Sequence, residues 1–169
     1  MWNGIMKIME IQHRASDGSI LWEQKNVRNI LHLKGEEFLL RTAFTGGKVS
    51  TVIPENYYLG LDNRVSVLAG DEMSDIVNEP TISGYERQPV ASSGDFTISV
   101  DNGHYQAISP IVAFGATGGS WGPVQVLFLS DKSSSLGTLI SSAVLDTAVS
   151  VNAGESVTMR LAMTLKDCT

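Results

Sequence analysis

The chain has 169 residues, a size at which one domain buries roughly 70% of the surface its unfolded form exposes, so a core can form without staples. Hydrophobic residues make up 43% and charged residues 18%, and 16 glycines are present to serve turns, the profile of a β sandwich or barrel. The net charge of −6 repels phosphate backbones and anionic lipid, which argues against DNA, RNA or a membrane surface as a direct ligand.

Ile5 to Arg14 is rich in Ile and Met, Ser16-Asp17-Gly18-Ser19 supplies a turn, and Ile20 to Val27 resumes with a β-compatible run that includes Trp22. Asp-Gly between two such runs is the strongest short-range hairpin signal, so residues 5–27 are expected to open the fold as a hairpin. After Asn29 the period changes. Leu31, Leu33, Phe38, Leu39, Leu40, Ala43 and Phe44 fall near helical spacing, Glu36 and Glu37 stand where a first turn favours acids, and Gly46-Gly47 supplies a stop. The pattern predicts one helix over Lys34 to Thr45, plugging one end of the sheet with Phe38, Leu39 and Phe44 turned towards it.

Strand signals return at Tyr57 to Leu61, followed by the Asp62-Asn63-Arg64 turn. Ser66 to Ser83 is less hydrophobic, holds Asp71, Glu72, Asp75 and Glu79, and reads as a surface excursion with a short helical turn near Met73 to Val77. Tyr85 to Val90, Phe96 to Val100, His104 to Phe114, Val124 to Leu129, Thr138 to Leu145 and Ser156 to Leu165 are the remaining strands. Between them lie Ser92-Ser93-Gly94, Asp101-Asn102-Gly103, Gly118-Gly119-Ser120 and Asn152-Ala153-Gly154-Glu155, all turn chemistry. In the last strand Val157, Met159, Leu161, Met163 and Leu165 share one face, which is expected to be buried. The fold class is therefore mainly β, an antiparallel β-sandwich or jelly roll of eight or nine strands with one short α-helix near residues 34–45. No repeat or linker divides it, so residues 1–169 read as a single domain.

The sole cysteine, Cys168, leaves no intrachain disulfide and no cysteine cage for zinc. Met1 to Ile11 interrupts its apolar residues with Lys7 and Glu10, unlike a signal peptide, and no apolar run approaches the ~20 residues that cross a bilayer. Folding in a reducing cytoplasm is the expectation.

A hydrolase needs a nucleophile, a base and an orienting acid, and the bases on offer are His13, His32 and His104. None stands in a recognisable signature. His13 ends a strand and His32 begins the helical region, so both read as surface or edge residues, while His104 follows the Asn102-Gly103 turn. Asp71, Glu72, Asp75 and Glu79 offer oxygen ligands to a hard cation, but without the Asp-x-Asp-x-Asp-Gly spacing they read as a solvated acidic loop. Gly115 to Gly122 has the glycines of a phosphate cradle without its Gly-Lys-Ser/Thr ending. Trp121 and Tyr57-Tyr58 offer stacking faces for a sugar, though large aromatics more often fill cores or interface centres. No catalytic residue, metal ligand or cofactor is assigned, and Tyr57 and Trp121 stand as candidates for a protein interface.

Asn29-Ile30-Leu31 before a helix ending Thr45-Gly46-Gly47, then Tyr57-Tyr58-Leu59-Gly60-Leu61-Asp62-Asn63, resemble small virion structural proteins encoded by tailed phages. Glu79-Pro80 and Gly84-Tyr85-Glu86-Arg87-Gln88 look like that group's middle block. Gly137-Thr138-Leu139-Ile140-Ser141-Ser142-Ala143 and Val151-Asn152-Ala153-Gly154-Glu155-Ser156-Val157 look like its closing strands. The likeness runs from about Asn29 to the end, and the capsid decoration, or cement, proteins are the best match. That resemblance implies a non-catalytic sandwich or jelly roll, made in the host cytoplasm, that binds the outside of the head between major capsid subunits and braces it against internal DNA pressure. Its partners would be the major capsid protein and copies of itself, in an oligomer for which a trimer suits the threefold junctions of a capsid. The 5–27 hairpin is then either a docking or strand-exchange arm or the first pair of the sandwich, and Trp2, Trp22 and Trp121 are candidate anchors. A tail or fibre component with a receptor-binding β domain is the alternative, and a small hydrolase the third reading.

Overall fold

The computed structural model of the chain describes residues 2–44, 53–82 and 84–167, with side chains described between residues 7 and 164. The chain opens with β1 (Trp2–Arg14), β2 (Ile20–Leu31), helix α1 (Leu33–Phe44) and β3 (Asn56–Asp62). A single 3₁₀ turn (Met73–Asp75) precedes β4 (Gln88–Ala91), β5 (Thr97–Asp101), β6 (His104–Ile108) and β7 (Val112–Gly115). The closing strands are β8 (Trp121–Ser130), β9 (Leu139–Val151) and β10 (Ser156–Asp167). The expected class holds: the chain is mainly β, with one helix among the described residues, and Thr45 and Gly46-Gly47 lie outside them. The expected strand His104 to Phe114 divides in two at Ser109-Pro110, because proline brings no N–H to the ladder. Ser109 bridges the break, its N–H donating to the Leu161 carbonyl at 2.9 Å and its Oγ accepting from the Leu161 N–H at 3.0 Å.

Every strand pair is antiparallel, in the order β4-β3-β8-β9-β2-β1-β10-β6-β5, with β7 also on β10. The sheet curls because β2 serves both halves. Residues 20–28 pair with β1, whereas Asn29, Ile30 and Leu31 pair with Ala143, Ser142 and Ser141 of β9. Asn26 adopts φ +58° just before the change of partner, a left-handed conformation that asparagine tolerates better than most residues. The Ile5 to Val27 hairpin forms with Gly18 at φ +85° in its turn, and β1 is flanked by β2 on one side and β10 on the other.

The inner faces of the two halves meet in one core. Ile8, Ile11, Val27, Val157, Met159 and Leu161 come from one half, and Leu59, Leu61, Leu127, Leu129, Ala143 and Leu145 from the other. Ile8 and Ile11 both face inward despite their odd spacing, because a bulge between Ile8 and Glu10 resets the alternation. Strand β8 is buried on both faces, from Val126 to Ser130 without a break.

Two elements cover its second face and that of β9. The first is the stretch read as a surface excursion, which is in fact a covering layer: Val67, Met73, Ile76 and Pro80 are buried, and Met73 and Ile76 pack on Phe128 and Leu139. The register accounts for the space they fill. Gly60 lies opposite Phe128, and the aromatic ring occupies the place a Cβ at Gly60 would take. The second is α1, which lies against β9 through Gly35, where a Cβ would overlap the Ile140 carbonyl. Phe38 is buried and Leu39 packs on the core as expected, but Phe44 is 81% exposed. Six residues on from Phe38, at 3.6 per turn, it stands about 120° round the helix from the packed face.

Candidate interaction surfaces

His13, His32 and the carboxylates of Asp62, Asp71, Asp75 and Glu79 each have a specific partner in the fold. His13 and His32, read as surface or edge residues, are both buried. His13 follows Ile11 on the inward face of β1, and its Nε2 lies 2.7 Å from Glu155 Oε2. Glu155 also closes the β9–β10 turn by accepting from the Asn152 N–H at 2.7 Å and from its side-chain amide at 3.1 Å. Those Asn152 bonds, more than His13, hold its carboxyl below the usual range. His32 is 0% exposed, with Nε2 2.7 Å from Ser142 Oγ. Burial pushes its imidazole below the ordinary histidine range, opposed by the charge of Asp71. His32 and Ser142 form a hydroxyl–imidazole pair, but both are buried, at 0% and 2% exposure, beside Leu68, Ala69 and Asp71.

The acidic stretch is equally committed. Asp62, fully buried at the end of β3, accepts from the Arg64 and Asn78 N–H groups, each at 2.9 Å. Asp71 pairs with Arg64 at 3.2 Å and accepts from the Leu68 N–H, while Asp75 accepts from the Glu72 N–H at 2.8 Å. Glu79 takes the Arg87 guanidinium bidentately, with Nη2 at 2.5 Å and Nε at 3.0 Å. Arg87 in turn donates from Nη1 to the carbonyls of Lys132 and Ser134 and stacks 5.1 Å above the Phe128 ring. The Tyr85 hydroxyl accepts from the Leu61 N–H at 2.8 Å and lies 2.9 Å from Glu79 Oε2. Burial, with Glu79 adding to it, pushes that phenol far above its ordinary range and keeps it a donor. No group of three or more His, Cys, Asp or Glu that could hold a metal ion occurs among the described residues.

The expected aromatic anchors have different fates. The Trp2 side chain lies outside those described. Trp22 and Tyr57 are partly buried against the core, and Tyr57 stands edge-on between Phe38 at 6.3 Å and Phe96 at 6.1 Å. Trp121 is 5% exposed and packs edge-on to Tyr85 at 6.0 Å, so the anchor role expected of it gives way to a core one. It lies opposite Val151 of β9 and belongs to the same core cluster as Val124, Val149 and Val151.

The uncovered apolar surface lies elsewhere. On α1, Leu33, Leu40 and Phe44 point outward beside an open groove of about 330 Å³ bordered by Lys34, Glu37, Arg41 and Leu136. A second groove, of about 570 Å³, runs between residues 77–82 and the start of β8, with Asn63, Asn78, Thr81 and Ser120 on its walls. The third surface is the β5–β6 hairpin. Ile98 is opposite Ala107 and Val100 opposite Tyr105, so all four share one face, and Ile98, Val100 and Tyr105 are 65%, 61% and 74% exposed. Sequence reasoning passed over these residues. The alternation Ile98-Ser99-Val100 was visible, but its usual meaning is a buried face, and only the structure reveals that these side chains are exposed among the described residues. No helix among the described residues is long and apolar enough to cross a membrane. No family model, curated protein or solved structure matches the chain.

Proposed function

We propose that this chain is a structural protein of a tailed-phage particle, of the capsid decoration kind, which binds the outer surface of the head and braces it. The observation that carries the assembly part is the contrast between the two kinds of surface. The His32–Ser142, Glu79–Arg87 and Asp71–Arg64 pairs are spent on internal contacts, whereas apolar side chains on α1 and on the β5–β6 hairpin are exposed. Exposed apolar faces of this kind suit protein contacts. The resemblance of the Asn29 to Asn63, Glu79 to Gln88 and Gly137 to Val157 blocks to phage virion proteins supplies the particle. A decoration protein also profits from repetition, since many copies turn a modest contact into a stable coat through avidity, and the charge of −6 keeps a crowded outer layer soluble.

A receptor-binding domain of a tail or fibre is the second reading, favoured by the open groove between residues 77–82 and β8 with its amide and hydroxyl walls. The two readings differ in what the purified chain binds. Mixed with undecorated heads, it is expected to co-sediment with them to saturation at a fixed ratio to the major capsid protein. Attachment to host cells or to their glycans, with none to heads, would replace the decoration reading with the tail reading.

A further inference from the structure

The path of hydrogen-bonded strands ends at β4 and β5, with the four-residue β7 a further edge on β10, and the two ends are built differently. Strand β4 carries Pro89, which lacks the N–H that another strand would need, the usual way in which proteins blunt an exposed edge. Strand β5, Thr97-Ile98-Ser99-Val100-Asp101, carries no proline, no lysine and no irregularity in its register with β6. The β5–β6 turn is the two-residue Asn102-Gly103 loop, with φ +49° and +80°, so Asp101 and His104 form its closing hydrogen-bonded pair. Alternation then points the backbone groups of Thr97, Ser99 and Asp101 towards β6, and those of Ile98 and Val100 away from the sheet.

We infer that β5 is the site of self-association, pairing antiparallel with β5 of a second copy about a two-fold axis at Ser99. This deepens the assembly reading and rests on it, by naming the edge and the partner. In that register Ile98 and Val100 of each copy exchange N–H···O bonds with Val100 and Ile98 of the other, which satisfies the outward backbone groups. Ile98, Val100 and Tyr105 of both copies merge into one apolar strip on a single face, while Thr97 stands opposite Asp101 of the second copy and donates its hydroxyl to the carboxylate. Ladder length selects this register over its neighbours. Moving the axis to Ile98 sets Val100 and Asp101 against residues 96 and 95 of the second copy, which lie before β5, and leaves only residues 97–99 paired. Moving it to Val100 sets Ile98 against Asn102 in the turn and shortens the ladder. The contact is isologous and closes at two copies.

Sedimentation velocity of the full chain over a concentration series tests the contact, with dimers of twice the 18.2 kDa monomer mass expected. Val100→Lys places a charge on an exposed strand position and is expected to leave monomers alone. A second variant reads the register directly, in a Cys168→Ser background so that no other thiol reacts. Ser99→Cys meets its own copy across a non-hydrogen-bonded pair, about 4.5 Å between Cα atoms and within disulfide range, and is expected to form a covalent dimer. Thr97→Cys, roughly 14 Å from its copy at 3.4 Å per residue, is not. A wild-type monomer at every concentration, a dimer that Val100→Lys leaves intact, or equal cross-linking at positions 97 and 99 overturns the inference. Head binding is scored separately by co-sedimentation. Its loss with the dimer intact sinks the assembly reading and spares the edge, whereas its survival in a chain that never dimerises does the reverse.

Discussion

His32 illustrates why a residue's environment was harder to read than its neighbours. It stands between a strand and a helix, a junction that ordinarily faces solvent, yet its N–H donates to the Ile140 carbonyl of β9 and its ring is buried against Ser142, with Leu68, Ala69 and Asp71 beside it. That placement has a pH signature. Burial lowers its folded pKa below the unfolded value of 6.5, so above that value both states are neutral and stability is complete. As pH falls through it, the unfolded chain takes a proton that the folded chain resists, and stability declines. His32→Gln retains a polar group for Ser142 without the titration. The expected outcome is that Tm falls less in His32→Gln than in the parent protein between about pH 7.5 and 5.5. An identical slope would show that position 32 is open to solvent. The lowered carboxyl of Glu155 acts in a separate window, contributing stability that is lost only as pH drops below the usual range for glutamate. His13 was legible in retrospect, since it shares the parity of Ile11 beyond the bulge, and that spacing marks it as inward-facing.

Among the elements, hairpins were the most legible. Gly18 in the first turn, and Asn102 with Gly103 in the second, take positive φ because those residues are the ones that tolerate it, and the information is local. The 63–87 segment was opaque for the opposite reason. Its low hydrophobicity suggests a loose loop, but its few apolar residues, Val67, Met73 and Ile76, land on β8, and its polar residues lock the rest in place. The clamp is the Glu79–Arg87 fork, which joins the segment to the Lys132 and Ser134 carbonyls and to the Phe128 ring. Arg87→Ala strands Glu79 and those carbonyls and uncovers Phe128. A cost of about 3 kcal/mol is expected for breaking a largely buried pair, seen as a Tm lower by roughly 6–12 °C for a domain of this size. Arg87→Lys is expected to recover only part of it, since an ammonium cannot reproduce the bidentate fork. A change within about 0.5 kcal/mol, the level of an ordinary surface substitution, would mean that the segment is held by its apolar contacts alone.

For the whole molecule, strand periodicity and turn chemistry were enough to identify an antiparallel β fold with one helix. The order of strands was not accessible, because it depends on β2 changing partners near Asn26 and on β1 lying between β2 and β10. That order decides which apolar faces are buried and which remain open, so the interaction surfaces could not be placed from alternation. Trp121, conspicuous in the sequence, is internal, whereas Ile98, Val100 and Tyr105, inconspicuous there, are exposed at a free edge. The proposed role on a phage head makes one further demand on the assembled particle. Cryo-electron microscopy of native particles carrying this chain should reveal the curled sheet as repeated density on the outer surface of the head, seated between major capsid subunits. Density confined to the tail or fibres, or a head that lacks it in particles shown to contain the chain, would contradict the decoration role.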